Sequence, residues 1–520
     1  MKIVSSDAMK ALDKAVIELD HIPSLELMEH AGAAVADAAC ELFPKEKGCI
    51  GVLLGRGNNA GDGLAAGRLL LDKGYEVCFF HTFALDHFSE DAKANYNRLQ
   101  EKAPRFVSAT SIEECEKEKQ TLQSCQGFID ALFGTGLKTA VSGHFTRLIE
   151  YINELSYPVI SIDVPSGLSA DTGEALGSTI YAARTVTLGL PKVGLFCGDG
   201  PACVGKLTVA DIGIPKAREA SVSGEYELIT PESFQELLRP RKSDAHKGNF
   251  GHFLVIAGHK GMLGAGYLTS RAALHIGAGL VSFALPKKAY EKFDARYPEL
   301  ICHPVPDGDT GCFHPVGLKG VLDFMSGKNS IAVGPGIGVA ATTKDFVREA
   351  LPIIDLPLVL DADGLNCLGN NHLEILKQRK APTIITPHPG EMARLTGKSI
   401  QDIQEHRIEI TKNFSMTYNV YVVLKGASTV IATPQGKIYI NPTGNPGMAT
   451  AGTGDVLTGV IAGLLAQGYK PELACIAGVY LHGLAGDIAA KDEGEISMVA
   501  SDVINRLSDA IRQASHGISA

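Results

Sequence analysis

A glycine-rich stretch, residues 441–459 (NPTGNPGMATAGTGDVLTG), carries one carboxylate, Asp455. Glycine lets backbone N–H groups approach a ligand closely, and a following helix adds the positive end of its dipole, so the stretch suits a phosphate. A carboxylate at such a place either caps the helix or deprotonates a hydroxyl while the N–H groups stabilise a phosphoryl group in transfer. We favour the catalytic interpretation because four glycines, the last being Gly454, cluster just before Asp455.

Polar side chains also follow predicted strands in the first half of the chain. The apolar run of residues 49–54 leads into a polar glycine loop, residues 55–63 (GRGNNAGDG), and later runs end at Asp130 and at Asp163, with Ser166 just beyond. Because the carboxyl ends of parallel strands form one crevice, we expect these side chains to share a cleft. Their amide, hydroxyl and carboxylate oxygens suit a monovalent cation at least as well as Mg2+. The alternative is a set of polar turns, since Asn, Asp and Gly are turn formers.

A second cleft is expected in the second half of the chain. Each predicted strand there ends in a polar or glycine turn: residues 252–257, 330–334, 358–361, 383–386 and 420–424. Two side chains on these turns are candidates for ligand contact. His388 is held rigidly between two prolines, and Lys425 lies where a cation could contact a phosphate. A lone histidine is more often structural than catalytic, but the strand-end position of His388 favours contact with a ligand.

Alternating helix and strand patterns predict the fold class. Residues 7–43 carry two helical stripes separated at Pro23. A strand, the glycine loop, a helix from Leu64 and a strand over residues 75–80 form a βαβ unit. That pattern predicts an α/β fold with parallel sheets and right-handed crossovers. Residues 216–226, charged and without periodicity, are interpreted as a linker.

The composition excludes several classes of protein. A chain of 520 residues exceeds one ordinary core. Its net charge of -10, without a long basic run, argues against nucleic acid or an anionic membrane as the main partner. No apolar run reaches membrane-spanning length and no signal-peptide core is present, so no membrane association is expected. The 11 scattered cysteines form no CxxC pair, which indicates reduced thiols in a cytoplasm.

Four motifs of the first half resemble the NAD(P)H-hydrate epimerase family. They are residues 27–32 (LMEHAG), 58–63 (NNAGDG), 130–136 (DALFGTG) and 163–167 (DVPSG), in family order. The resemblance implies a Rossmann-like three-layer αβα domain, with Asp163 as the acid/base at the hydrated carbon. It implies one K+ ion held by Asn59, Asp130 and Ser166. It implies that the substrate is held by Asn58, Asn59, Ala60, Gly61, Asp62, Gly134, Thr135, Gly136, Leu137, Lys138, Thr139, Ala140 and Asp163.

Motifs of the second half are similar to those of ADP/ATP-dependent NAD(P)H-hydrate dehydratases, a branch of the ribokinase-like superfamily. They are residues 246–251 (HKGNFG), 361–366 (DADGLN), 386–391 (TPHPGE) and 445–455 (NPGMATAGTGD). The resemblance implies a ribokinase-like αβα domain that uses ADP with Mg2+. It implies that the nucleotide is bound by Lys425, Gly426, Ala427, Ser428, Thr429 and Gly454. Gly336, His388 and Asp455 would contact the hydrated nicotinamide, with Asp455 as the catalytic base.

Together the two resemblances imply a bifunctional repair enzyme for hydrated NAD(P)H, written NAD(P)HX. Residues 1–215 would interconvert the R and S epimers, and residues 227–515, after the linker, would phosphorylate the hydroxyl of the S epimer at the expense of ADP. Phosphate is a far better leaving group than hydroxide, so its elimination would restore NAD(P)H and leave AMP and phosphate. We expect small-molecule partners only, in a cytoplasmic homo-oligomer.

Two other hypotheses stay open on the sequence alone. The chain could be an ordinary small-molecule kinase, such as one for a vitamin precursor, with a nucleotide-sensing first domain. A kinase would leave a phosphorylated product, whereas a lyase releases inorganic phosphate. The first domain could instead be a non-catalytic binding module, although the acidic chain weighs against nucleic acid. The residues themselves do not decide between ADP and ATP.

Overall fold

The computed structural model describes residues 1–291, 293 and 298–516. The chain divides into two compact units, residues 2–226 and residues 227–520 together with Met1. Each unit contains one large, mostly parallel sheet with apolar clusters on both faces. The predicted fold class, two successive α/β domains with parallel sheets, is therefore confirmed.

The first unit carries helices and strands in alternation. Its strands are β1 (Lys2–Ile3), β2 (Cys49–Leu54), β3 (Val77–His81), β4 (Arg105–Ser108), β5 (Cys125–Ala131), β6 (Val159–Ile162), β7 (Arg184–Leu188) and β8 (Lys206–Ala210). Its helices are α1 (Ser6–Leu19), α2 (Ser24–Leu42), α3 (Asn58–Asp72), α4 (Glu90–Gln100), α5 (Ile112–Lys117), α6 (Lys119–Gln123), α7 (His144–Leu155), α8 (Gly200–Cys203) and α9 (Lys216–Ser221), with short 3-10 turns at Lys45–Lys47, Leu85–His87 and Val193–Phe196.

The sheet of the first unit runs in the order β4-β3-β2-β5-β6-β7-β8, and every neighbouring pair is parallel. Its central strands are buried on both faces, which explains why β2 and β5 read as continuous apolar runs and not as alternating ones. Because all seven strands point the same way, the turns after β2, β5, β6 and β7 lie at one edge. That edge carries the candidate site.

Helix α3 differs from the prediction. We predicted a glycine loop up to residue 63 and a helix from Leu64, but the helix begins at Asn58 with Gly57 as its N-cap. Glycine and asparagine are poor helix formers, so the sequence favoured a loop. Close packing explains the glycines: a Cβ on Gly61 would lie 2.5 Å from the Met28 sulfur, and one on Gly63 would lie 2.7 Å from the Ala131 Cβ.

The predicted linker is also more ordered than expected. Residues 216–221 form helix α9, and Tyr226 already begins the next strand. Arg218 on α9 donates to both carboxylate oxygens of Asp20, at 2.7 and 3.0 Å. The Lys2 ammonium donates to three carbonyl oxygens of this segment, including that of Val222 at 2.8 Å. The segment that we interpreted as a linker therefore contains a helix, which an ion pair and hydrogen bonds hold to the first unit.

The second unit is larger. Its strands are β9 (Tyr226–Leu228), β10 (His252–Ile256), β11 (Leu280–Pro286), β12 (Ile301–Val305), β13 (Ser330–Val333), β14 (Leu358–Leu360), β15 (Thr383–Ile385), β16 (Tyr421–Leu424), β17 (Val430–Ala432) and β18 (Ile438–Ile440). Its helices are α10 (Leu263–His275), α11 (Lys287–Tyr290), α12 (Leu318–Met325), α13 (Ala341–Ala350), α14 (Asp363–Leu368), α15 (Glu374–Gln378), α16 (Pro389–Thr396), α17 (Ile400–Glu405), α18 (Arg407–Tyr418), α19 (Thr453–Ala466), α20 (Pro471–Glu493) and α21 (Ala500–His516), with 3-10 turns at Pro231–Leu238, Lys247–Phe250, Pro315–Gly317 and Pro446–Met448.

The sheet of this unit runs in the order β9-β18-β17-β16-β15-β14-β13-β10-β11-β12. Within this order, every neighbouring pair in the stretch β16-β15-β14-β13-β10-β11-β12 is parallel. Strand β17 pairs antiparallel with both β16 and β18. One face packs on α10, α19, α20 and α21, and the other on α13, α16 and α18. The parallel strands end together at the edge that holds the second candidate site.

Helix α20 differs from our expectation about the length of the apolar stretches in this chain. We expected no apolar stretch of membrane-spanning length, yet α20 is long and apolar enough to cross a bilayer. However, 72% of its most apolar stretch is buried inside the protein, as in the core helix of a globular fold. Cys475, Ala477 and Leu481 on this helix belong to the main core of the second unit.

Candidate active sites

A cavity of about 680 Å³ opens at the carboxyl edge of the first sheet. Many of the predicted substrate-binding residues line it: Asn58, Asn59, Asp62, Gly134, Thr135, Gly136, Leu137, Lys138, Thr139 and Asp163. Three others do not. Ala60 is fully buried, Gly61 packs against Met28, and Ala140 is exposed beyond the cavity rim.

Asp163 is held in a defined orientation at the end of β6. Its φ of +66° lies in the left-handed region, which costs a non-glycine residue free energy but which Asp tolerates better than most residues. Its Oδ1 accepts hydrogen bonds from the Leu188 N–H at 3.0 Å and from the Thr187 hydroxyl at 3.1 Å. The carboxylate is thus fixed at the cavity wall from its own strand and from the neighbouring strand β7.

Lys192 is the functional residue of this site that the sequence analysis missed. Its ammonium lies 2.5 Å from Asp163 Oδ1 and donates to the Leu188 carbonyl at 2.8 Å, although the side chain is only 1% exposed. A buried ammonium requires a partner of opposite charge, so the two side chains form one unit. Lys192 follows the end of β7, and the strand-end argument used for Asp130 and Asp163 would have found it.

Two further carboxyl groups share the cavity with this ion pair. Burial raises the pKa of Asp62 well above its usual range, and the nearby Asp163 and Asp13 raise it further. Burial also raises the pKa of Asp13 on α1 to about 6, with Lys192 acting in the opposite direction. Asp62 is only 7% exposed, yet among residues 1–291, 293 and 298–516 its carboxyl group has no hydrogen-bond or ion-pair partner.

The three residues predicted to hold a cation lie next to each other beneath this cavity. Asp130 is fully buried and accepts four hydrogen bonds, including those from the Ser166 hydroxyl at 2.5 Å and the Ser166 N–H at 2.8 Å. Asn59 donates to the Phe133 carbonyl at 3.0 Å, and the Phe133 N–H donates to the Ser166 hydroxyl at 2.9 Å. Burial raises the pKa of Asp130, and no cationic side chain of the described chain pairs with it.

The second candidate site centres on Asp455 at the start of α19. Gly452, at φ +91°, is the N-cap of that helix and Asp455 is its third residue, so the side chain does not act as the cap. Burial raises the pKa of Asp455 to about 7, repulsion by Asp361 adds to the rise, and Lys425 opposes it. Such a carboxyl group is poised to exchange a proton near neutral pH.

Lys425, which is partly buried, and the buried Asp361 form an ion pair beside Asp455. The Lys425 ammonium lies 2.8 Å from Asp361 Oδ1, and the Thr458 hydroxyl donates to Asp361 Oδ2 at 2.6 Å. A Cβ on Gly454 would lie 3.1 Å from the Lys425 Nζ, so glycine leaves room for the lysine at the helix start. Asp361 and Thr458 position Lys425; the sequence placed Asp361 at a strand end of this cleft without a role of its own, and Thr458 was not predicted.

His388 is the N-cap of α16. Its Nδ1 accepts from the N–H groups of Gly390 at 3.0 Å and Glu391 at 3.3 Å, which assigns the proton of the neutral ring to Nε2. Burial lowers the pKa of His388, and Lys425 and Arg394 lower it further, so the ring is neutral at physiological pH. The rigid geometry agrees with the proline-flanked sequence, and the ring remains 49% exposed toward a ligand.

The remaining predicted residues lie on turns at the same edge. Gly336 has φ +59° and its carbonyl oxygen lies 2.8 Å from His259 Nδ1. Residues 426–429 form an exposed turn after β16, in which the Thr429 hydroxyl donates to the Gly426 carbonyl at 3.1 Å.

His482, buried beneath α19, donates from Nε2 to the Thr453 carbonyl at 3.0 Å, and burial lowers its pKa to about 4. This neutral donor holds the glycine-rich turn from below.

Comparison with known proteins agrees with this division. A family profile described as NAD(P)H-hydrate dehydratase matches residues 253–509, and one described as YjeF-related protein N-terminus matches residues 24–194. The crystal structure of an ADP/ATP-dependent NAD(P)H-hydrate dehydratase from Bacillus subtilis, co-crystallised with ATP and Mg2+, is 30% identical and covers 55% of this chain and 97% of that chain, with a TM-score of 0.48.

Two curated relatives match nearly the whole chain. The bifunctional NAD(P)H-hydrate repair enzyme of Moorella thermoacetica is 39% identical over 514 residues, covering 98% of this chain and 97% of the relative. The enzyme of the same name from Escherichia coli is 32% identical over 485 residues, covering 93% and 88%. With both domains matched in order and with full-length relatives of this identity, the chain belongs to the family of bifunctional NAD(P)H-hydrate repair enzymes.

Proposed function

We propose that the first unit epimerises NAD(P)HX and that the second unit dehydrates the S epimer to NAD(P)H at the expense of ADP. The observation that carries this proposal is that each sheet edge holds a lysine–aspartate ion pair at the proposed catalytic carboxylate: Lys192 pairs with Asp163 itself, and the Lys425–Asp361 pair lies beside Asp455. The kinase hypothesis has less support, because both full-length relatives are named as repair enzymes.

In the first unit Asp163 acts as the acid/base group. Water adds to the dihydropyridine ring so that the hydroxyl-bearing carbon is also bonded to the ring nitrogen, and such a carbon inverts when one of these two bonds breaks and re-forms. The ion pair with Lys192 holds the Asp163 side chain at the cavity wall, where it takes the proton of the substrate hydroxyl. Residues 134–139 line the cavity from the turn after β5 and hold the rest of the substrate.

In the second unit Asp455 takes the proton of the substrate hydroxyl, whose oxygen attacks the terminal phosphoryl group of ADP. A P–O bond forms, AMP leaves, and the N–H groups at the start of α19 stabilise the transferring charge. The C–O bond to phosphate then breaks as the neighbouring ring carbon loses a proton, which restores the dihydropyridine. Residues 425–429 and Gly454 bind ADP, which arrives as its Mg2+ complex. His388 and Gly336 contact the nicotinamide.

The residues of the first unit fit a K+ ion. Asp130 is a buried carboxylate with no cationic partner among the described residues, and the Asn59, Ser166 and Phe133 oxygens beside it are hard and uncharged. We propose that Asn59, Asp130 and Ser166 hold the ion, which would neutralise the buried charge and attract the anionic end of the substrate. Asn59 and Ser166 also bond the backbone of Phe133, so residues that would hold the ion fix the turn next to the residues that line the cavity.

The test uses a prepared mixture of both NADH-hydrate epimers with K+, Mg2+ and either ADP or ATP, followed by absorbance of the reduced-nicotinamide band. Full recovery with ADP supports both activities and the donor. Recovery of the S fraction alone removes the epimerase assignment and leaves the dehydratase. The Asp163→Asn chain should convert only the S epimer to NADH. The Asp455→Asn chain should convert neither epimer to NADH, although it should still interconvert the two epimers. A phosphorylated end product without free phosphate would favour the kinase.

We also propose that the enzyme is a cytoplasmic homo-oligomer that acts on small molecules only. The acidic net charge of -10 supports the absence of a nucleic-acid partner. Light scattering coupled to size exclusion measures the oligomeric state, and a mass of one 55.0 kDa chain would contradict that part of the proposal.

A further inference from the structure

The burial of Asp62 in the first site is not explained by any contact described above. It lies in the second turn of α3, lines the cavity and is 93% buried, since its exposed fraction is 7%. No side chain or backbone group of the described residues donates a hydrogen bond to its carboxyl group or pairs with it. Burying a carboxyl group without a partner is costly unless the group is neutral or meets a ligand.

The charges around Asp62 favour the neutral form. Asp13 on α1, Asp91 on α4 and Asp163 after β6 all repel its negative charge, and the buried cation on this wall, Lys192, is already bonded to Asp163. Lys10, Arg56 and Lys138 also line the cavity, but all three side chains lie at its exposed mouth. Burial and this repulsion both raise the pKa of Asp62.

We propose that Asp62 is a second catalytic residue of the epimerase, the proton donor that works opposite Asp163. Inversion of the hydroxyl-bearing carbon needs one group that takes a proton and one that gives a proton. Asp163, bonded to the Lys192 ammonium, suits the first role, and Asp62, which is bonded to no cationic side chain of the described residues, suits the second. This inference rests on the proposed epimerase function of the first unit.

The step balances as a ring opening. Asp163 takes the hydroxyl proton, a C=O bond forms, and the bond from this carbon to the ring nitrogen breaks with its electron pair going to nitrogen. Asp62 gives its proton to that nitrogen, which yields an open-chain aldehyde. After rotation about the adjacent C–C bond, nitrogen attacks the other face of the aldehyde, its proton returns to Asp62, and Asp163 returns the first proton to oxygen. Both groups end the turnover as they began it, and no water needs to enter.

The experiment follows epimerisation of purified R hydrate by chromatographic separation of the epimers, without nucleotide and with the spontaneous rate subtracted. The Asp62→Asn chain should lose about 10²–10⁴-fold in kcat, the range expected for removal of a general acid. The wild-type rate should fall at alkaline pH as Asp62 loses its proton, and this alkaline limb should be missing from the residual activity of the variant. Asp62→Glu, which keeps a carboxyl group, should retain the limb.

Two controls separate this inference from simpler explanations. Asp72→Asn, at the far exposed end of the same helix, should leave epimerisation unchanged, and the dehydration of S hydrate by the second unit shows that each variant chain is intact. A raised KM with unchanged kcat and an unchanged alkaline limb in Asp62→Asn would make Asp62 a binding group and overturn the inference. A wild-type chain that dehydrates S hydrate but does not interconvert the epimers would instead overturn the epimerase function itself.

Discussion

Replacing Asp455 with Asn should abolish dehydration and yet stabilise the second unit at pH 8. Burial, repulsion by Asp361 and the opposing effect of Lys425 place the pKa of Asp455 at about 7 in the folded protein. In the unfolded chain it is about 3.9. A group whose pKa is raised on folding contributes stability that is complete below the unfolded pKa and is lost as pH rises through the folded pKa. Wild-type protein therefore loses stability between about pH 4 and pH 7, and Asn does not.

The size of the effect follows from that shift. A shift of about three units corresponds to about 4 kcal/mol as an upper bound. Asp455 is only partly buried and its site is open to water, so solvent screening reduces the gain of the variant to about 1–2 kcal/mol at pH 8. For a unit of this size, that gain corresponds to a rise of about 2–6 °C in the unfolding midpoint. At pH 5 the folded carboxyl group is protonated but the unfolded one is already ionised, so the gain should be about a third of its value at pH 8, and it should vanish only at about pH 4 and below.

The assay is calorimetric unfolding of the full chain at pH 5 and pH 8, with the transition of the second unit identified by its shift with ADP and Mg2+. Asp402→Asn is the matched control. Its carboxylate is exposed, and hydrogen bonds from Ser399 lower its pKa, so the group is ionised at both pH values. That variant should behave alike at pH 5 and pH 8. A gain for Asp455→Asn that is equal at both pH values, or a loss at pH 8, would refute a raised pKa at the proposed base.

Three further predictions follow from the same structure. The kcat/KM of S-hydrate dehydration should fall about tenfold from pH 8 to pH 6, because a base with a pKa near 7 becomes protonated; an inflection below pH 5 in a steady-state pH profile would contradict this. K+ should raise the unfolding midpoint of the first unit more than Li+ does, and Asp130→Asn should remove the difference in a thermal-shift measurement; an equal response of both proteins would exclude Asp130 as a ligand. Arg379→Met should lower the free energy of unfolding of the second unit by about 3 kcal/mol or more in urea, because the buried guanidinium donates to the carbonyls of Leu351, Ile354 and Leu356. Arg512 is exposed, so Arg512→Met should have little effect in the same measurement.

The sequence predicted the parts of each site that lie on the turn after a strand. Asp163, Ser166, His388 and Lys425 follow strand ends, and a parallel sheet brings all such ends to one edge whatever the strand order. Which of these side chains pair with each other was not predictable in this way. Lys425 and Asp361 are 64 residues apart and pair because β16 and β14 both flank β15, and that strand order cannot be read from apolar runs.

Residues supplied by helices were the hardest to predict. Asp13 lies on α1, whose apolar stripe was visible, but the sequence does not show that the polar side of this helix borders the cavity. The start of α3 was placed too late because asparagine and glycine disfavour helix, and only contacts with Met28 and Ala131 explain why small residues occur there. Both cases depend on tertiary packing, which overrides local propensity.

Both sites combine a lysine–aspartate ion pair with one further carboxyl group, but that further group has opposite roles in the two proposed reactions. Each edge holds a lysine bonded to one aspartate, Lys192 to Asp163 and Lys425 to Asp361. Each also holds a second carboxyl group, Asp62 or Asp455, to which no cationic side chain of the described residues is bonded. Burial raises the pKa of Asp62 and of Asp455, so each site sets a carboxyl group that holds its proton more tightly beside an ion-paired one. Epimerisation needs both roles at once, which suits two carboxyl groups facing one cavity. Phosphoryl transfer needs a base that is free when substrate arrives and a lysine that stays cationic near the phosphates, so in the second unit the unpaired carboxyl group is the base and the pair serves the nucleotide.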